Sequence, residues 1–232
     1  MNAANEGKGK PSIAVVDLFA GLRTVHLAGA AHVNICMSHA AEKCPFANKL
    51  AKKNKIKETL SEDVRSMDKD WAEDFVERAR KEGANAILVI GGFPCKDLSR
   101  AKGKARKNLD GAESKLFWEI PRIISALRKA SGGNFHIYFL VENVMMDSAP
   151  MKTISTELGC RPVVIDAAPV CASARKRLFW CNFVISPQRG EWLAKLADRN
   201  ELYLVEQPAR LNIWDEGWQE SPNFRNSLPT VQ

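Results

Sequence analysis

A strand that ends in Gly-Gly-Phe-Pro-Cys is the feature that most limits the fold of this chain. Residues Ala86 to Ile90 are apolar and rich in β-branched side chains, which predicts a buried strand, and Gly91 and Gly92 end it. Pro94 then fixes a turn that presents Cys95. In an open α/β sheet, ligands and reactive groups lie beyond the carboxyl ends of the strands. The pattern therefore predicts a thiol at the functional edge of such a sheet.

Strands and helices alternate along the chain, which predicts an α/β fold with a mostly parallel sheet and helices on both faces. The predicted strands cover residues 13–19, 33–37, 86–90, 135–141, 162–165 and 177–184. The predicted helices cover residues 22–30, 42–55, 68–81, 113–129 and 153–158. Pro121 is expected to kink or restart the fourth of these helices.

Length and composition predict one main domain, because 232 residues with 45% apolar and 26% charged side chains are ordinary for a globular domain. We expect a disordered tail over residues 1–10, a core over residues 11–185, and a further region over 186–232, where periodicity fades. The sequence contains no run of about 18 apolar residues, and its first ten residues lack an apolar segment. Neither a membrane span nor a secretory signal is predicted.

Cysteine spacing and net charge indicate which kinds of site and partner this chain has. The six cysteines form no C-x-x-C pair and no zinc-ligand spacing, so we predict reduced thiols and no metal site. The net charge of +7 and the pI of about 9.1 favour a polyanionic partner, although composition alone does not identify one. The segment 100–111 is predicted to be a mobile basic loop. Its cations are Arg100, Lys102, Lys104, Arg106 and Lys107.

Cys95 and Glu142 are the strongest candidates for chemistry. The position of Cys95 suits a thiolate nucleophile, although most single cysteines are small packing residues, and we assign the other five cysteines to that class. Glu142 ends an apolar strand, where burial raises a carboxyl pKa and lets the group hold a proton near neutrality. A helix cap or an arginine pair is the alternative role. On a parallel sheet, one ligand could contact both residues.

Arg175 and Arg177 are two residues apart and would point to the same side of an extended segment. The fixed fork of an arginine suits a phosphate or the orientation of a reacting group. A solvated basic turn is the alternative.

The first strand-to-helix connection, Phe19 to Thr24, is a candidate anion site, because backbone amides at a helix N-terminus receive carboxylates or phosphates. It lacks G-x-G-x-x-G, since Arg23 and Thr24 stand where glycines are needed, and this disfavours a dinucleotide. A smaller ligand with an anionic end and an adenosine fits better. Asp63 could accept a hydrogen bond from its adenine amine.

Four motifs in order resemble the cytosine-5 DNA methyltransferase family. They are Asp17-Leu18-Phe19-Ala20-Gly21, Gly91-Gly92-Phe93-Pro94-Cys95, Glu142-Asn143-Val144 and Arg175-Lys176-Arg177. The resemblance runs from Ile13 to about Phe183 and is closest to the animal-type de novo branch. It implies a Rossmann-like fold of the S-adenosylmethionine-dependent methyltransferases.

The family's chemistry implies a role for each of these residues. Cys95 would add to C6 of a flipped cytosine, and Glu142 would hold and protonate the base. Arg175 and Arg177 would orient the base and its phosphate, and Asn143 would brace the turn that contains Pro94.

The resemblance also implies a site for the cofactor S-adenosylmethionine. Its expected residues are Asp17, Phe19, Ala20, Gly21, Thr24, His39, Glu42, Asp63, Val64 and Gly92. His39 stands where the family has an acidic residue for the ribose, with Glu42 as a substitute. Arg23 enlarges the turn beside the methionine carboxylate, which it could assist or obstruct.

DNA is the expected partner, and the DNA-binding residues are expected in the basic loop. They are Ser99, Lys102, Lys104, Arg106 and Lys107. The resemblance further implies oligomers with the same or a related methyltransferase chain, and a nuclear location in a eukaryote or a cytoplasmic one otherwise. We expect neither a membrane nor a metal as a partner.

Residues 186–232 contain no counterpart of the last two family motifs, so this region is interpreted as the start of an incomplete or reduced target-recognition region. The chain is expected to be a catalytic core whose C-terminal part is missing or replaced. Two alternatives to a DNA methyltransferase follow. One is a transfer RNA cytosine-5 methyltransferase, and the other is a truncated, non-catalytic DNA-binding regulator.

Overall fold

Seven strands form one sheet in the computed structural model, which describes residues 10–29, 33–98, 107–167 and 175–183. The strands are β1 (Ser12–Leu18), β2 (Asn34–Ala41), β3 (Thr59–Ser61), β4 (Ala86–Gly92), β5 (His136–Val144), β6 (Val163–Asp166) and β7 (Lys176–Cys181). Their order across the sheet is β3-β2-β1-β4-β5-β7-β6.

The central strand β1 pairs in parallel with both β2 and β4, and β2 pairs in parallel with β3. The β6–β7 pair is antiparallel. The predicted mostly parallel α/β fold is therefore confirmed. From β1 the chain adds β2 and then β3 on one side of the sheet, and it returns to the other side of β1 with β4. Open α/β sheets bind ligands at such a switch point.

Within the described ranges, five α-helices lie between these strands, namely α1 (Thr24–Gly29), α2 (Pro45–Lys53), α3 (Lys69–Lys81), α4 (Glu119–Ser131) and α5 (Ser148–Leu158). Asp68 caps α3 by accepting a 2.9 Å hydrogen bond from the Trp71 backbone N–H. None of the helices in the described ranges is long and apolar enough to cross a membrane.

Of the two outcomes expected at Pro121, a kink or a restart of the helix, the structure shows the restart. A 3-10 turn over Ser114–Trp118 precedes α4, so Pro121 is the third residue of the α-helix itself. The N–H groups of the first helical turn have no intrahelical partner, and proline therefore fits there without breaking a hydrogen bond. Helix α5 begins at Ser148, five residues before the predicted start.

Two compact units divide the chain. Unit 1 comprises residues 1–93 and 116–140, and unit 2 comprises residues 94–115 and 141–232. Apart from Lys10, the predicted tail lies outside the described residues, as does the predicted region 186–232. In unit 2, α5 and β7 are joined by a 2.9 Å hydrogen bond from Trp180 Nε1 to Ser155 Oγ, and both residues are buried.

His39 of β2 lies inside unit 1, where both of its ring nitrogens contact hydroxyl groups of β3. Nδ1 is 2.7 Å from Thr59 Oγ1, and Nε2 is 3.0 Å from Ser61 Oγ. The imidazole also packs on the Trp71 ring of α3, with 5.0 Å between centroids. Burial, aided by the positive charge of Arg78, lowers the pKa of His39 to about 4. The histidine is therefore neutral in the folded protein at neutral pH.

We predict that His39 makes the fold acid-sensitive. A histidine whose pKa is lower in the folded state contributes stability above its unfolded pKa and loses it as pH falls. Between pH 7 and pH 5, this linkage should lower the free energy of unfolding by about 2 kcal/mol. Urea titrations at both pH values should show that His39→Gln removes that pH-dependent contribution. His136→Gln, at an exposed position, is the control and should leave it unchanged.

We also predict that Gly91→Ala destabilises the sheet. Gly91 pairs with Leu18, and an added Cβ would lie 3.0 Å from the Leu18 carbonyl oxygen and 3.1 Å from its Cβ. Overpacking of this kind costs about 1–3 kcal/mol, which urea unfolding would detect. Gly29→Ala is the matched control, because its Cβ would meet only side-chain atoms at 3.5 Å or more. Equal stability of the two variants would contradict the prediction.

Candidate functional site

The turn after β1 is held in an unusual backbone conformation beside the end of β2. Phe19, Gly21 and Arg23 have φ angles of 56°, 48° and 59°. The Ala20 N–H donates to the Ala41 carbonyl at 3.1 Å, and the Gly21 N–H donates to Glu42 Oε2 at 2.8 Å. The structure therefore brings this predicted cofactor turn together with Glu42.

Glu42 follows the last residue of β2 directly, so its carboxylate lies at the carboxyl edge of the parallel strands. Its second oxygen, Oε1, accepts a 2.6 Å hydrogen bond from the Cys44 N–H. His39 lies three residues earlier, within the strand, where Thr59 and Ser61 contact its two nitrogens. Of these two candidates for the strand-end acidic position, only Glu42 lies there.

Arg23 is completely buried, and its guanidinium is directed at protein groups. Nε lies 3.1 Å from Glu58 Oε1, Nη1 donates to the Gly21 carbonyl at 2.8 Å, and Nη2 donates to Asn48 Oδ1 at 2.7 Å. Sequence reasoning identified Arg23 but neither Glu58 nor Asn48. Both lie beyond β2 along the chain, and no local pattern relates them to the turn.

Asp17 is buried near the carboxyl end of β1, between Ala40 of β2 and Ile90 of β4. Burial raises the pKa of its carboxyl to about 7. The guanidinium of Arg23 opposes this shift, and the negative charges of Glu58 and Glu42 add to it. Asp17 therefore titrates near neutrality.

Asp63 and Val64 lie in a 3-10 turn after β3. Asp63 caps the turn, and its carboxylate accepts a 2.9 Å hydrogen bond from Arg65 Nε, which holds the carboxyl pKa well below its usual range. Val64 is buried. Arg122 of α4 donates to the carbonyls of Val64 at 3.2 Å and Met67 at 2.7 Å. Sequence reasoning missed Arg122, because binding to backbone carbonyls leaves no sequence pattern.

The other predicted cofactor residues lie at ends of elements in unit 1. Thr24 is exposed as the first residue of α1, and Gly92 is exposed as the last residue of β4. The carboxylates of Asp17, Glu42 and Asp63 thus all belong to residues at or near strand ends of unit 1. Carboxylates accept hydrogen bonds from hydroxyl and amino groups and attract cations. These residues fit a ligand with ribose hydroxyls, an adenine amine and a positively charged amine.

In unit 2, Cys95 lies three residues beyond β4 with its side chain partly exposed. The Leu98 N–H donates to the Cys95 carbonyl at 3.0 Å, which closes a turn after Pro94. Lys96 Nζ lies 2.7 Å from Glu113 Oε1, and this hydrogen bond raises the pKa of Lys96.

Of the predicted DNA-binding residues, only Lys107 falls within the described residues, and it is exposed. The others, Ser99, Lys102, Lys104 and Arg106, lie outside them.

Glu142 and Arg177 form an ion pair in unit 2, with 2.9 Å between Glu142 Oε1 and Arg177 Nε. Burial raises the pKa of Glu142, whereas Arg177 and Arg175 lower it. The adjacent Asn143 is buried, and its Oδ1 accepts a 2.8 Å hydrogen bond from the Val144 N–H. The structure therefore brings together the predicted acid and one predicted arginine.

Arg175 differs from Arg177 in its contacts. It is exposed and precedes β7, and its backbone N–H donates to Asp166 Oδ1 at 2.9 Å. Its charge still contributes to the field at Glu142. Within the described ranges, no group of three or more His, Cys, Asp or Glu residues is arranged to hold a metal ion.

Comparisons with known proteins give this arrangement a family context. Two solved structures resemble the chain in part. A Spodoptera frugiperda DNMT2 variant is 16% identical to this chain, with a TM-score of 0.48. The match covers 74% of this chain and 49% of the DNMT2 chain. Entamoeba histolytica methyltransferase EhMeth is 14% identical with a TM-score of 0.47, and 74% of this chain covers 53% of that one. This chain spans about half the length of each.

The family model described as C-5 cytosine-specific DNA methylase matches residues 13–153, which is more than half of the chain. The match includes the turn after β1, the Pro-Cys segment and the Glu-Asn-Val segment. The chain therefore belongs to the C-5 cytosine-specific DNA methylase family.

Proposed function

We propose that this protein transfers a methyl group from S-adenosylmethionine to C5 of cytosine in DNA through a covalent adduct with Cys95. The observation that carries the proposal is the Glu142–Arg177 ion pair, which lies in the same compact unit as the strand-end thiol of Cys95. Family membership supports methyl transfer to cytosine C5. The covalent adduct, the cofactor and the DNA substrate are parts of the proposal.

Glu142 is suited to proton transfer to a base. Burial favours its protonated form, and the nearby guanidinium of Arg177 favours the ionised form, so the group can exist in both states. In the proposed reaction, the Cys95 thiolate forms a bond to C6 while Glu142 donates a proton at N3. The electron pair of the C5–C6 double bond would then form the bond from C5 to the methyl group, while the bond between that methyl group and the sulfur of S-adenosylmethionine breaks and S-adenosylhomocysteine is released. Loss of the C5 proton to solvent and departure of the Cys95 thiolate restore the C5–C6 double bond, and N3 returns its proton to Glu142.

The carboxylates of unit 1 would hold the cofactor, which supplies an electrophilic methyl group when it is bound. We assign the ribose hydroxyls to Glu42 rather than to His39, because Glu42 lies at the strand end. We assign the adenine amine to Asp63 and the cationic amine of the methionine moiety to Asp17. DNA is the proposed partner because the basic segment after Cys95 carries five cations between residues 100 and 107.

We predict that Cys95→Ala abolishes methyl transfer and that Glu142→Gln slows it by about 10²–10⁴, which is typical of losing a general acid. The measurement is transfer of radiolabelled methyl groups from S-adenosylmethionine to a cytosine-containing DNA duplex. Cys44→Ala is the matched control, because Cys44 is exposed in unit 1. Undiminished activity of Cys95→Ala would contradict the covalent mechanism. Transfer to transfer RNA but not to the duplex would contradict DNA as the substrate.

A duplex that contains 5-fluorocytosine provides a second readout of the adduct. Elimination of Cys95 requires the loss of a proton from C5. A C5 that carries fluorine has no such proton, so the adduct with Cys95 persists after the methyl group has been transferred. The wild-type protein should remain bound to this duplex under denaturing conditions, and Cys95→Ala should not.

We predict that S-adenosylmethionine binds more tightly as pH rises from 6 to 7.5. Asp17, with a pKa of about 7, must ionise to attract the cationic amine, and this range stays below the amine's own pKa. The dissociation constant measured by calorimetry should fall about fivefold or more. Asp17→Asn should bind more weakly and show a flat pH profile. A pH dependence that persists in this variant would remove Asp17 from the proposed role.

A further inference from the structure

We propose that Arg23 is a positioning residue that fixes the Glu42 carboxylate for the ribose of the cofactor through a closed ring of hydrogen bonds. The ring joins the turn after β1, the end of β2 and helix α2, all of which belong to unit 1. The inference rests on the proposed function, because it assumes that the ligand carries a ribose.

The ring has four links. The Gly21 N–H donates to Glu42 Oε2 at 2.8 Å, and the Glu42 carbonyl accepts from Asn48 Nδ2 at 2.9 Å. Asn48 Oδ1 in turn accepts from Arg23 Nη2 at 2.7 Å, and Arg23 Nη1 donates to the Gly21 carbonyl at 2.8 Å. Both the backbone and the carboxylate of Glu42 are thereby fixed to groups that Arg23 orients.

Burial makes Arg23 a rigid member of the ring. Its side chain is fully buried, and its Nη2 lies 3.0 Å from Oε1 of Glu58, whose side chain is 8% exposed. A φ of 59° is disfavoured for a residue with a side chain and persists only where surrounding contacts enforce it. The ring and the ion pair with Glu58 supply those contacts. The Arg23 guanidinium is therefore bound to protein groups, and these contacts hold the turn in its conformation.

Glu42 keeps accepting capacity for a ligand within this ring. Each carboxylate oxygen has about two acceptor sites, and Oε2 and Oε1 each receive one backbone N–H, from Gly21 and Cys44 respectively. With respect to the part of the chain that the structure describes, one site on each oxygen is left for a hydroxyl group. Because the carboxylate is already oriented, little side-chain freedom is lost when a ribose binds.

A purely structural role for Arg23 makes a different prediction. Loss of a structural contact lowers stability and weakens all ligands alike. Loss of Glu42 orientation weakens only those ligands that have the ribose hydroxyls. Discrimination between S-adenosylhomocysteine and its 2′,3′-dideoxyribose analogue therefore separates the two roles.

The experiment measures the dissociation constants of both ligands by calorimetry. In the wild-type protein, we expect the ribose ligand to bind at least tenfold more tightly. Glu42→Gln identifies the contribution of the carboxylate and should reduce this ratio to below threefold. Asn48→Ala, which breaks the ring but keeps the Arg23–Glu58 pair, should reduce it similarly while the dideoxy analogue changes less than twofold. Asn48→Ala should have no further effect in the Glu42→Gln background.

Removing Arg23 alone would leave Glu58 buried without its partner, and the variant could fail to fold. The double variant Arg23→Met, Glu58→Met avoids this, because apolar residues of similar volume often replace a buried ion pair without loss of stability. It should show the same loss of discrimination as Asn48→Ala. Lys69→Ala with Glu73→Ala, which removes an exposed ion pair on α3, is the matched control and should keep the wild-type ratio.

A wild-type ratio in both Asn48→Ala and the double variant would overturn the inference alone, as would an equal weakening of both ligands. Failure of the wild-type protein to bind either ligand would overturn the proposed function and, with it, this inference.

Discussion

The pairing of β1 with a parallel strand on each side determines where the strand-end residues of unit 1 lie. Ala14, Val15 and Val16 are fully buried, so the register of β1 against β2 and β4 has no freedom to slip without exposing apolar surface. That register places Asp17 between Ala40 and Ile90. The turn that follows must then begin beside the end of β2, where Glu42 receives the Gly21 amide.

The same register places the Asp17 carboxyl at a buried position close to other charged side chains. The negative charges of Glu42 and Glu58 and the positive charge of Arg23 all act on the Asp17 carboxyl. Three carboxyl groups and one guanidinium leave an excess of negative charge, which a buried site relieves by protonation or by binding a cation. Burial is the main cause of the raised pKa of Asp17, the negative charges of Glu58 and Glu42 add to it, and a cationic ligand would offset the same charges.

The order and type of most elements could be predicted from sequence, because parallel strands buried on both faces are continuous apolar runs separated by amphipathic helices. The start of α5 could not, since its first turn, Ser148 to Met151, contains a proline and no helical apolar period. Motif order made Cys95, Glu142 and Arg177 candidates for chemistry. The partners of Arg23, namely Asn48 and Glu58, could not be predicted, because they depend on tertiary contacts between side chains distant in sequence, which no local period encodes.

The contacts of Arg122 with two backbone carbonyls affect which positions around the turn after β3 tolerate substitution. The guanidinium binds the oxygen atoms of Val64 and Met67, atoms that every residue type possesses. The conformation of the turn after β3 is thus stabilised by a side chain of another element, α4. This contact therefore does not fix the identities of Val64 and Met67, whereas it does fix that of position 122.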